Sequence, residues 1–272
     1  MRPRRATTQS SGCSSTGRAS RRSASTSRCG HRWAWRSRMP HGSPRAPRSP
    51  RSHAAGDRVR HLAMFPLSTV VMPGVMAPLH VFEERYRAMV RDCLTMDEPS
   101  FGIVLIRRGR EVGGGDERCE VGTEVRMLKT LRLEDGRYAL VVGGASRIRI
   151  VQWLDDDPYP QALVDDWADD DDAHAAADVA SRVPAAYEEV RRCLALATEL
   201  GERVPRLDTE VVADGPLATH QLCALAPLEV HDHQRLLEAA GSRARLDLLG
   251  QLLAGRREAY LARLADGGAD RT

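Results

Sequence analysis

Lysine chemistry is confined to a single position in this chain. Lys129, between Leu128 and Thr130, is the only lysine among 272 residues. A nucleotide-binding loop of the form G-x-x-x-x-G-K-[ST] holds phosphates with its lysine and backbone amides, and no such loop is present. A peptidase that activates a serine with a lysine base needs that lysine in a peptidase-like segment, whereas Lys129 lies in a predicted strand. The sequence therefore predicts neither ATP hydrolysis nor serine–lysine peptidase activity.

Three further groups of residues have types that occur in functional sites. His231, Asp232 and His233 offer metal ligands, but alternate positions near a helix start diverge, and no third ligand follows at a metal-site spacing. Glycines 113–115 precede no capped helix that would bind phosphate, so they predict a hairpin loop. Glu83 and Glu84 are adjacent on a predicted helix and point about 100° apart, so they cannot act together on one substrate atom. We therefore expect no catalytic residue, no metal and no cofactor.

Charge is distributed unevenly along the chain. The formal net charge is +3, yet residues 1–63 contain 15 arginines and one acidic residue, Asp57, so the rest of the chain is net acidic. Recognition of phosphates needs a basic face, so the acidic body argues against nucleic-acid binding. The exception would be a surface cluster of Arg85, Arg107, Arg108 and Arg110. No run approaches the 18 apolar residues of a membrane-spanning helix, so we expect no membrane association.

The six cysteines form no C-x-x-C pair and no regular framework. They are Cys13, Cys29, Cys93, Cys119, Cys193 and Cys223. Four of them fall inside apolar or helical patterns, where a reduced, buried thiol is the usual state. Structural thiols of this kind indicate a cytoplasmic protein.

Residues 1–61 are rich in arginine, serine, proline and glycine and show no apolar periodicity. Such a segment cannot bury enough surface to offset the entropy of ordering, so the sequence predicts a disordered tail. Three functional interpretations compete with this one. An export signal lacks an apolar segment after Arg21-Arg22, a transit peptide lacks an amphipathic helix, and a basic arm would hold nucleic acid through counterion release. We favour a translation start further downstream, near Val59 or Met64, which would make the tail an artefact.

Between residues 62 and 167 the pattern is that of short strands interrupted by one helix. The turn pairs Pro73-Gly74 and Asp135-Gly136 separate β-prone runs. The predicted strands cover 64–72, 101–106, 121–133, 138–142, 148–153 and 161–164. The helix buries one face, with apolar residues at Phe82, Tyr86, Met89, Val90, Cys93 and Leu94. Several short strands with regular turns predict a small closed or half-closed β-barrel.

The remaining chain is predicted to be helical. The segment 165–172 contains six aspartates, and such a run of like charges predicts a solvated linker rather than a metal site. Residues 168–266 then read as four helices joined by short loops, which favours an antiparallel bundle. These helices lie around Val190–Leu200, at Pro216–Leu225, after Asp232 as far as Gly241, and from Ser242 onwards. The last is expected to bury Leu246, Leu249, Leu253, Tyr260 and Leu264. Residues 267–272 are expected to be disordered, and the whole is an α+β protein with a β-barrel subdomain followed by a helical bundle.

Three blocks of sequence, which occur in the same order along the chain, resemble the N-terminal, substrate-binding domain of Lon proteases. The first comprises Phe65-Pro66-Leu67, Val71–Gly74 and Pro78–Tyr86, and the second comprises Gly122-Thr123, Asp135–Tyr138 and Gly144–Ile150. The third is Gln234–Glu238 with Arg245-Leu246, so the match spans about residues 62–265. The motif residues carried over as structural are Pro66, Pro73, Gly74, Phe82, Glu83, Arg85, Tyr86, Gly136, Gly144 and Arg147.

The resemblance implies a PUA-like β-barrel packed beside a helical bundle, as a stand-alone bacterial version without ATPase and peptidase domains. In full-length Lon proteases this domain helps to recognise unfolded or tagged proteins. The resemblance therefore implies a non-catalytic module that binds such proteins or peptides, an accessory in protein quality control or regulated proteolysis whose partner is a protease or unfoldase.

Two other functions stay open at this point. PUA-like barrels elsewhere bind RNA, and the same barrel recurs in cereblon, a component of a ubiquitin ligase, so the fold alone does not fix the function. A hydrolase would need serine, histidine and aspartate side chains converging in one pocket.

Two structural expectations follow from the leading interpretation. A peptide-binding barrel should carry an exposed apolar patch or an open sheet edge that does not contact the helical region. Glu83 and Arg147, which both fall in motifs, are expected to form a salt bridge that ties the helix to the barrel.

Overall fold

A computed structural model describes residues 59–109, 116–171, 173–204 and 215–269. Nearly all of the predicted tail at 1–61, and the whole of glycines 113–115, lie outside these ranges. The described elements are, in order, β1 (Arg60–Leu67), β2 (Met76–Val81), α1 (Glu84–Cys93), β3 (Ser100–Arg108), β4 (Glu117–Arg132), β5 (Tyr138–Trp153), β6 (Gln161–Asp166), α2 (Ala173–Glu199), α3 (Gly215–Leu225), α4 (Val230–Leu237) and α5 (Ser242–Ala269). The predicted α+β class is confirmed.

Five of the strands pair into a closed ring. β5 pairs with β4, β4 with β3, β3 with β1 and β1 with β6, and β6 returns to β5. The β1–β3 pair is parallel and the other four pairs are antiparallel. A closed ring leaves no open edge among its members, which is how a small barrel avoids unwanted pairing. The ring of pairings agrees with the predicted β-barrel.

β5 is one 16-residue strand where two shorter strands were predicted. The register shifts opposite Ala145, since Ser146 pairs with Glu124 and Gly144 pairs with Val125. Such a bulge bends a strand without ending it. Gly144 permits a close backbone approach here, because a Cβ at this position would overlap the carbonyl oxygen of Met72. The first half of β5 is therefore free to pair with β2 and the second half with β6.

β2 was not predicted as a strand. It pairs with β5 from Met76 opposite Gly143 to Val81 opposite Tyr138, and it lies outside the closed ring. Pro78, in its middle, lacks an amide hydrogen and is tolerated because β2 is an edge strand. Phe82, predicted as the first apolar position of the helix, is instead 55% exposed and precedes α1, which begins at Glu84.

The described residues contain three apolar clusters, of which two lie among the strands and one lies in the helical region. The larger strand cluster, which α1 covers, is called the barrel core below, and the helical cluster is called the helical core. The barrel core includes Phe65, Phe101 and Val142, and α1 seals it by placing Tyr86 4.3 Å from Phe65, ring centroid to centroid. The helical core follows the predicted spacing along α5. Leu246, Leu249 and Leu253 belong to it, and Tyr260 is also buried. Leu264, the last position predicted to be buried, is only half-buried.

Several boundaries differ from the predictions by a few residues. β1 spans Arg60–Leu67 rather than 64–72, and α5 extends to Ala269, beyond the expected end at residue 266. α4 begins at Val230, so Asp232 lies in its first turn and does not cap it. An acidic side chain inside the first turn still stabilises the positive end of the helix dipole.

Candidate functional site

An exposed apolar face lies on the outside of β2, β5 and β4. Along the first half of β5, Leu140 and Val142 point into the core, so Ala139, Val141 and Gly143 point outward. Directly paired residues share a face, which places Met76 beside Gly143, Pro78 beside Val141 and Leu131 beside Ala139. Leu128, in a bulge of β4, lies next to Gly143. We call this set the outer apolar face: Met76, Pro78, Leu128, Leu131, Ala139 and Val141.

The outer apolar face includes large side chains that solvent reaches freely. Met76 is 70% exposed, Leu131 61% and Leu128 52%. Among the described residues, no strand pairs with the second edge of β2, which borders the face. The cationic side chain of Lys129 is also exposed on this side, opposite Val141. The face therefore combines apolar surface, an open strand edge and positive charge.

A cleft of about 440 Å³ separates the barrel from α3. We call it the barrel–α3 cleft. Its apolar walls come from Pro73, Trp167 and Leu217, and its polar side chains from Ser146 and His220 among others. The volume lies within the range of roughly 300–1,000 Å³ that is usual for small-ligand sites.

His220 is the unusual group in the barrel–α3 cleft. It is 6% exposed, and its Nδ1 atom is buried without a hydrogen-bond partner among the described residues. Burial, aided by the positive charge of Arg245, lowers the pKa of His220 to about 3. The imidazole is therefore neutral at physiological pH.

The barrel–α3 cleft does not contain an assembled Ser–His–Asp triad, although Ser146, His220 and Asp169 all line it. A triad needs the aspartate to hold the imidazole and the imidazole to hold the serine. Nδ1 of His220 has no such partner, and the oxygens of Asp169 accept hydrogen bonds from Arg245 and Ser242 instead. A histidine with a pKa of about 3 is also a weak general base at neutral pH.

Arg147 connects the barrel to the helical region rather than to α1. Its Nη1 donates to the carbonyl oxygens of Leu237 and Ala239, and its Nη2 lies 2.6 Å from Asp169. Glu83 pairs instead with Arg85, at 3.1 Å. The predicted salt bridge between Glu83 and Arg147 is therefore wrong, because each side chain meets another partner.

The acidic segment 165–172 is not simply a solvated linker. Asp165 and Asp166 belong to β6, and the side chain of Asp169, which is 12% exposed, lies against Arg147 and Arg245. Burial by itself would raise the pKa of Asp169, but hydrogen bonds from Arg245 and Ser242, with the charges of both arginines, lower it to about 2. Nothing in the spacing of the aspartates indicated these contacts, since the arginine partners lie in other segments of the chain.

The motif residues carried over from the resemblance fall into separate places. Phe82, Glu83 and Tyr86 line a cavity of about 40 Å³ with Phe65, Leu67 and His80, and the guanidinium of Arg85 lies over the Tyr86 ring. Pro73 and Arg147 line the barrel–α3 cleft. These two sets do not form one site.

The remaining motif residues occupy positions that the backbone requires. Pro66 lies in β1 opposite Val104, and Gly144 is at the bulge of β5. Gly74 and Gly136 have φ of 73° and 81°, a left-handed conformation that glycine adopts without strain. Both are in turns, as the sequence predicted.

The other candidate groups have ordinary surroundings. Cys93, Cys119, Cys193 and Cys223 are free and buried, as predicted. Asp232 pairs with Arg235, and Nε2 of His233 is 3.2 Å from the Ala226 carbonyl oxygen. Within the ranges that the structure describes, no three or more His, Cys, Asp or Glu side chains come together as metal ligands do. No helix in those ranges has both the length and the apolarity to cross a bilayer.

Comparison with known proteins identifies the family of this fold. Residues 61–255 match the family model of the ATP-dependent protease La (LON) substrate-binding domain. The Lon N-terminal domain protein from Xanthomonas campestris is 26% identical, with a TM-score of 0.50, and the match covers 72% of this chain and 98% of that one. The N-terminal domain of the Mycobacterium avium complex Lon protease shares the fold, with a TM-score of 0.50 at 15% identity.

Full-length relatives match over the same region. Lon protease 2 of Myxococcus xanthus is 29% identical over 199 residues, which are 72% of this chain and 24% of that protein. The Lon protease of Anaeromyxobacter dehalogenans is 29% identical over 203 residues, or 23% of its length. The chain thus spans about a quarter of the curated relatives it matches. With the family model covering most of its residues, the chain belongs to the family of LON substrate-binding domains.

Proposed function

We propose that this chain binds unfolded or tagged polypeptide segments and does not cleave them. In this proposal it serves as a cytoplasmic accessory of protein quality control or regulated proteolysis, and hands its clients to a protease or unfoldase. The observation that carries the proposal is the outer apolar face, which exposes large side chains beside an open strand edge.

An extended client segment suits this surface in two ways. Its backbone amides and carbonyls can pair with the open edge of β2, which is the mode of strand addition used by many peptide-binding domains. Its apolar side chains can rest on Met76, Leu128 and Leu131, which removes that surface from water. Folded proteins hide both their strand edges and most of their large apolar side chains, so such a surface selects unfolded segments.

In this proposal the two subdomains have different roles. The barrel subdomain, residues 62–167, carries the binding face, and the helical subdomain, 168–266, supports it. Arg147 of the barrel donates to the Leu237 carbonyl oxygen, and the amide of Gln234 in the helical region donates to the Val121 carbonyl oxygen. The motif residues Pro66, Gly74, Gly136 and Gly144 shape the barrel and do not contact the client.

Binding of RNA is the less favoured function. The cationic cluster that it requires is neutralised in part, because Arg85 pairs with Glu83 and Arg107 lies 3.7 Å from Glu117. Arg110, the fourth member of the expected cluster, lies outside the described residues.

The proposal is tested by measuring affinity for one protein in two states. A reduced and alkylated globular protein, which cannot refold, is titrated with this chain in a calorimeter, and the same protein with its disulfides intact is the control. We expect binding to the unfolded form alone. The double variant Met76→Glu/Leu131→Glu should weaken it at least about tenfold, because it places charge where apolar surface is buried.

A matched variant separates this effect from a general loss of solubility. Leu261→Glu alters a side chain on α5 that is 51% exposed, far along the chain from the barrel, and should leave the affinity unchanged. Equal affinities of the wild type and the double variant would show that the outer apolar face is not the binding surface.

A further inference from the structure

We propose that Lys129 makes the outer apolar face selective for apolar segments that carry an acidic side chain, glutamate or aspartate, whose carboxylate pairs with the lysine ammonium group. This inference rests on the proposed function, since it adds a charge preference to a client that the outer apolar face holds. It concerns a residue other than Met76 and Leu131, so the two can be tested separately.

Lys129 lies where a bound segment crosses the outer apolar face. The directly paired residues Pro78, Val141 and Lys129 form a row across β2, β5 and β4. Met76 lies two positions before this row on β2, and Leu131 lies two positions after it on β4. A segment whose side chains contact both Met76 and Leu131 therefore crosses the row and comes close to Lys129. The sequence neighbour Leu128, which also points outward, borders Lys129 on the other side.

The ammonium group of Lys129 has no counterion in the described part of the chain. None of residues 76–80, 126–131 and 139–143, which form this part of the sheet, is acidic. The other cation that the register places on this side is Arg126, opposite Gly143, and it already pairs with Glu98 at 3.3 Å. β3 pairs with β4 only as far as Arg126, so no described strand brings a carboxylate to the far side of Lys129.

A bound apolar segment makes this unpaired charge matter. The segment removes water from Leu128 and Leu131, which are more than half exposed, and so also from the ammonium group between them. Loss of hydration by a charge without a partner is costly, whereas a carboxylate from the segment compensates it. Exclusion of water also strengthens the attraction between the two charges. A neutral side chain at the same place lacks this compensation, and a cationic one is repelled.

The same charge disfavours the N-terminal residues of the chain itself as the occupant. Residues 1–58 contain 14 arginines and one acidic residue, Asp57. Their charge has the same sign as that of Lys129 and Arg126, so binding of this segment to the face would bring like charges together. The occupant in this proposal is therefore an acidic and apolar segment of another polypeptide.

The test uses three nonapeptides that differ at one position. Their sequence is Leu-Ser-Val-Ser-Xaa-Ser-Val-Ser-Leu, with an acetylated and an amidated end, and the central residue is glutamate, glutamine or lysine. Alternate side chains of an extended segment share a face, so the central one points the same way as the leucines and valines. The blocked ends leave the central side chain as the only possible charge.

Each peptide is titrated into the full chain labelled with ¹⁵N, and the shifts of the backbone amide signals give the dissociation constants. A second sample labelled with ¹³C-lysine reports on Lys129 alone, because it is the only lysine. We expect the glutamate peptide to bind about 3- to 10-fold more tightly than the glutamine peptide, and the lysine peptide to bind most weakly. The glutamate peptide should also shift the ¹³Cε signal of Lys129 most.

Three variants at one position and one control locate the effect. In Lys129→Gln the glutamate and glutamine peptides should bind equally, whereas Lys129→Arg should keep the preference. Lys129→Glu should reverse it in favour of the lysine peptide. The control Arg132→Gln removes a positive charge from the same strand, but its partner Tyr138 is buried, so Arg132 lies on the other side of the sheet. That variant should keep the preference of the wild type.

The outcomes separate this inference from the proposed function. The charge preference is overturned if no peptide binds, if the glutamate and glutamine peptides bind the wild type equally, or if the preference survives in Lys129→Gln. The proposed function survives each of these results if unfolded protein still binds and Met76→Glu/Leu131→Glu weakens that binding. If the peptides behave as expected while the double variant loses nothing, Lys129 selects charge and the apolar contacts to Met76 and Leu131 are excluded.

Discussion

Nη2 of Arg147, in β5, lies 2.6 Å from Oδ1 of Asp169, which follows β6. The same oxygen is 2.6 Å from Nη2 of Arg245, in α5. One carboxylate thus compensates a guanidinium from the barrel and another from the helical region. The three side chains are between 0% and 12% exposed, so none of these charges is well solvated. This ion cluster of Arg147, Asp169 and Arg245 therefore holds the barrel and the helical region together, as the proposed function requires.

Removing the carboxylate should destabilise the whole described fold. Asp169→Asn leaves two buried guanidiniums without a counterion, and breaking a buried pair in this way costs about 3–5 kcal/mol. Urea unfolding followed by circular dichroism measures the free energy of unfolding. Glu188→Gln is the control, because it breaks a pair with Arg191 in which both side chains are about half exposed. The free energy of unfolding of that variant should decrease by less than about 1 kcal/mol. Equal decreases in the two variants would contradict a structural role for Asp169.

The free energy of unfolding should decrease as the pH is lowered, in two windows that overlap between about pH 4 and 3. Asp169 has a pKa lowered to about 2, so its contribution is complete above the unfolded value near 4 and is lost as the pH falls towards 2. His220 has a pKa lowered to about 3. Its unfolded form takes up a proton from about pH 6.5 downward while the folded form stays neutral, so stability declines between pH 6.5 and 3.

Substitution of His220 should remove the upper window. We expect the slope of unfolding free energy against pH, measured between pH 6 and 4.5, to decrease by roughly one proton, or roughly 1.4 kcal/mol per pH unit, in His220→Phe. His220→Gln, which retains polarity but does not titrate, should show the same loss. A slope equal to that of the wild type in both variants would show that His220 takes up its proton equally well in the folded state.

The strands and helix faces that could be predicted are those governed by local periodicity. Phe101–Ile106 and Val121–Leu133 were assigned from β-prone runs bounded by turns, and all but Leu133 lie within the longer strands β3 and β4. The buried face of α5 followed from its helical spacing. β2 was missed because Pro78 disfavours a strand in any window of sequence, and only its edge position in the sheet removes the objection.

The contacts that could not be predicted are those set by distant parts of the chain. Asp169 lies in an acidic run that suggests solvent exposure, but its environment depends on Arg245, 76 residues away. Glu83 and Arg147 were paired because both lie in motifs, whereas shared membership of a family pattern carries no information on distance. The outer apolar face was expected only as a class of surface, since its members belong to three strands whose register the sequence does not specify.

Substitution by alanine should change the stability in opposite directions at Gly144 and Gly250. Gly144→Ala introduces a Cβ that overlaps the Met72 carbonyl oxygen, so the backbone must shift, at a cost of about 1–3 kcal/mol. Gly250→Ala, in α5, meets no atom within 4 Å and should stabilise the helix by up to about 1 kcal/mol. Urea unfolding of both variants checks the signs. A Gly144→Ala variant as stable as the wild type would show that β5 does not approach Met72 so closely.

The thiols in the described ranges should be unreactive in the folded protein. Cys93, Cys193 and Cys223 are 0% exposed and Cys119 is 3% exposed. Burial raises the pKa of Cys93 to about 11 and that of Cys223 to about 12, and the thiolate is the reactive form. In a Cys13→Ser/Cys29→Ser background, which removes the two remaining cysteines, Ellman's reagent should label four thiols in denaturant and almost none without it.

A variant with an exposed thiol, made in the same background, is the positive control for this labelling experiment. Leu261→Cys places a thiol on the exposed side of α5 and should be labelled at once in the folded state. Because labelling of a buried thiol requires opening of the core around it, the slow rates also report local stability. The rate at Cys93 reports the barrel core and that at Cys223 the helical core, since these residues belong to separate clusters. If Asp169→Asn accelerates labelling at both positions equally, the ion cluster couples the two cores, and acceleration at Cys223 alone would show that the barrel stands without it.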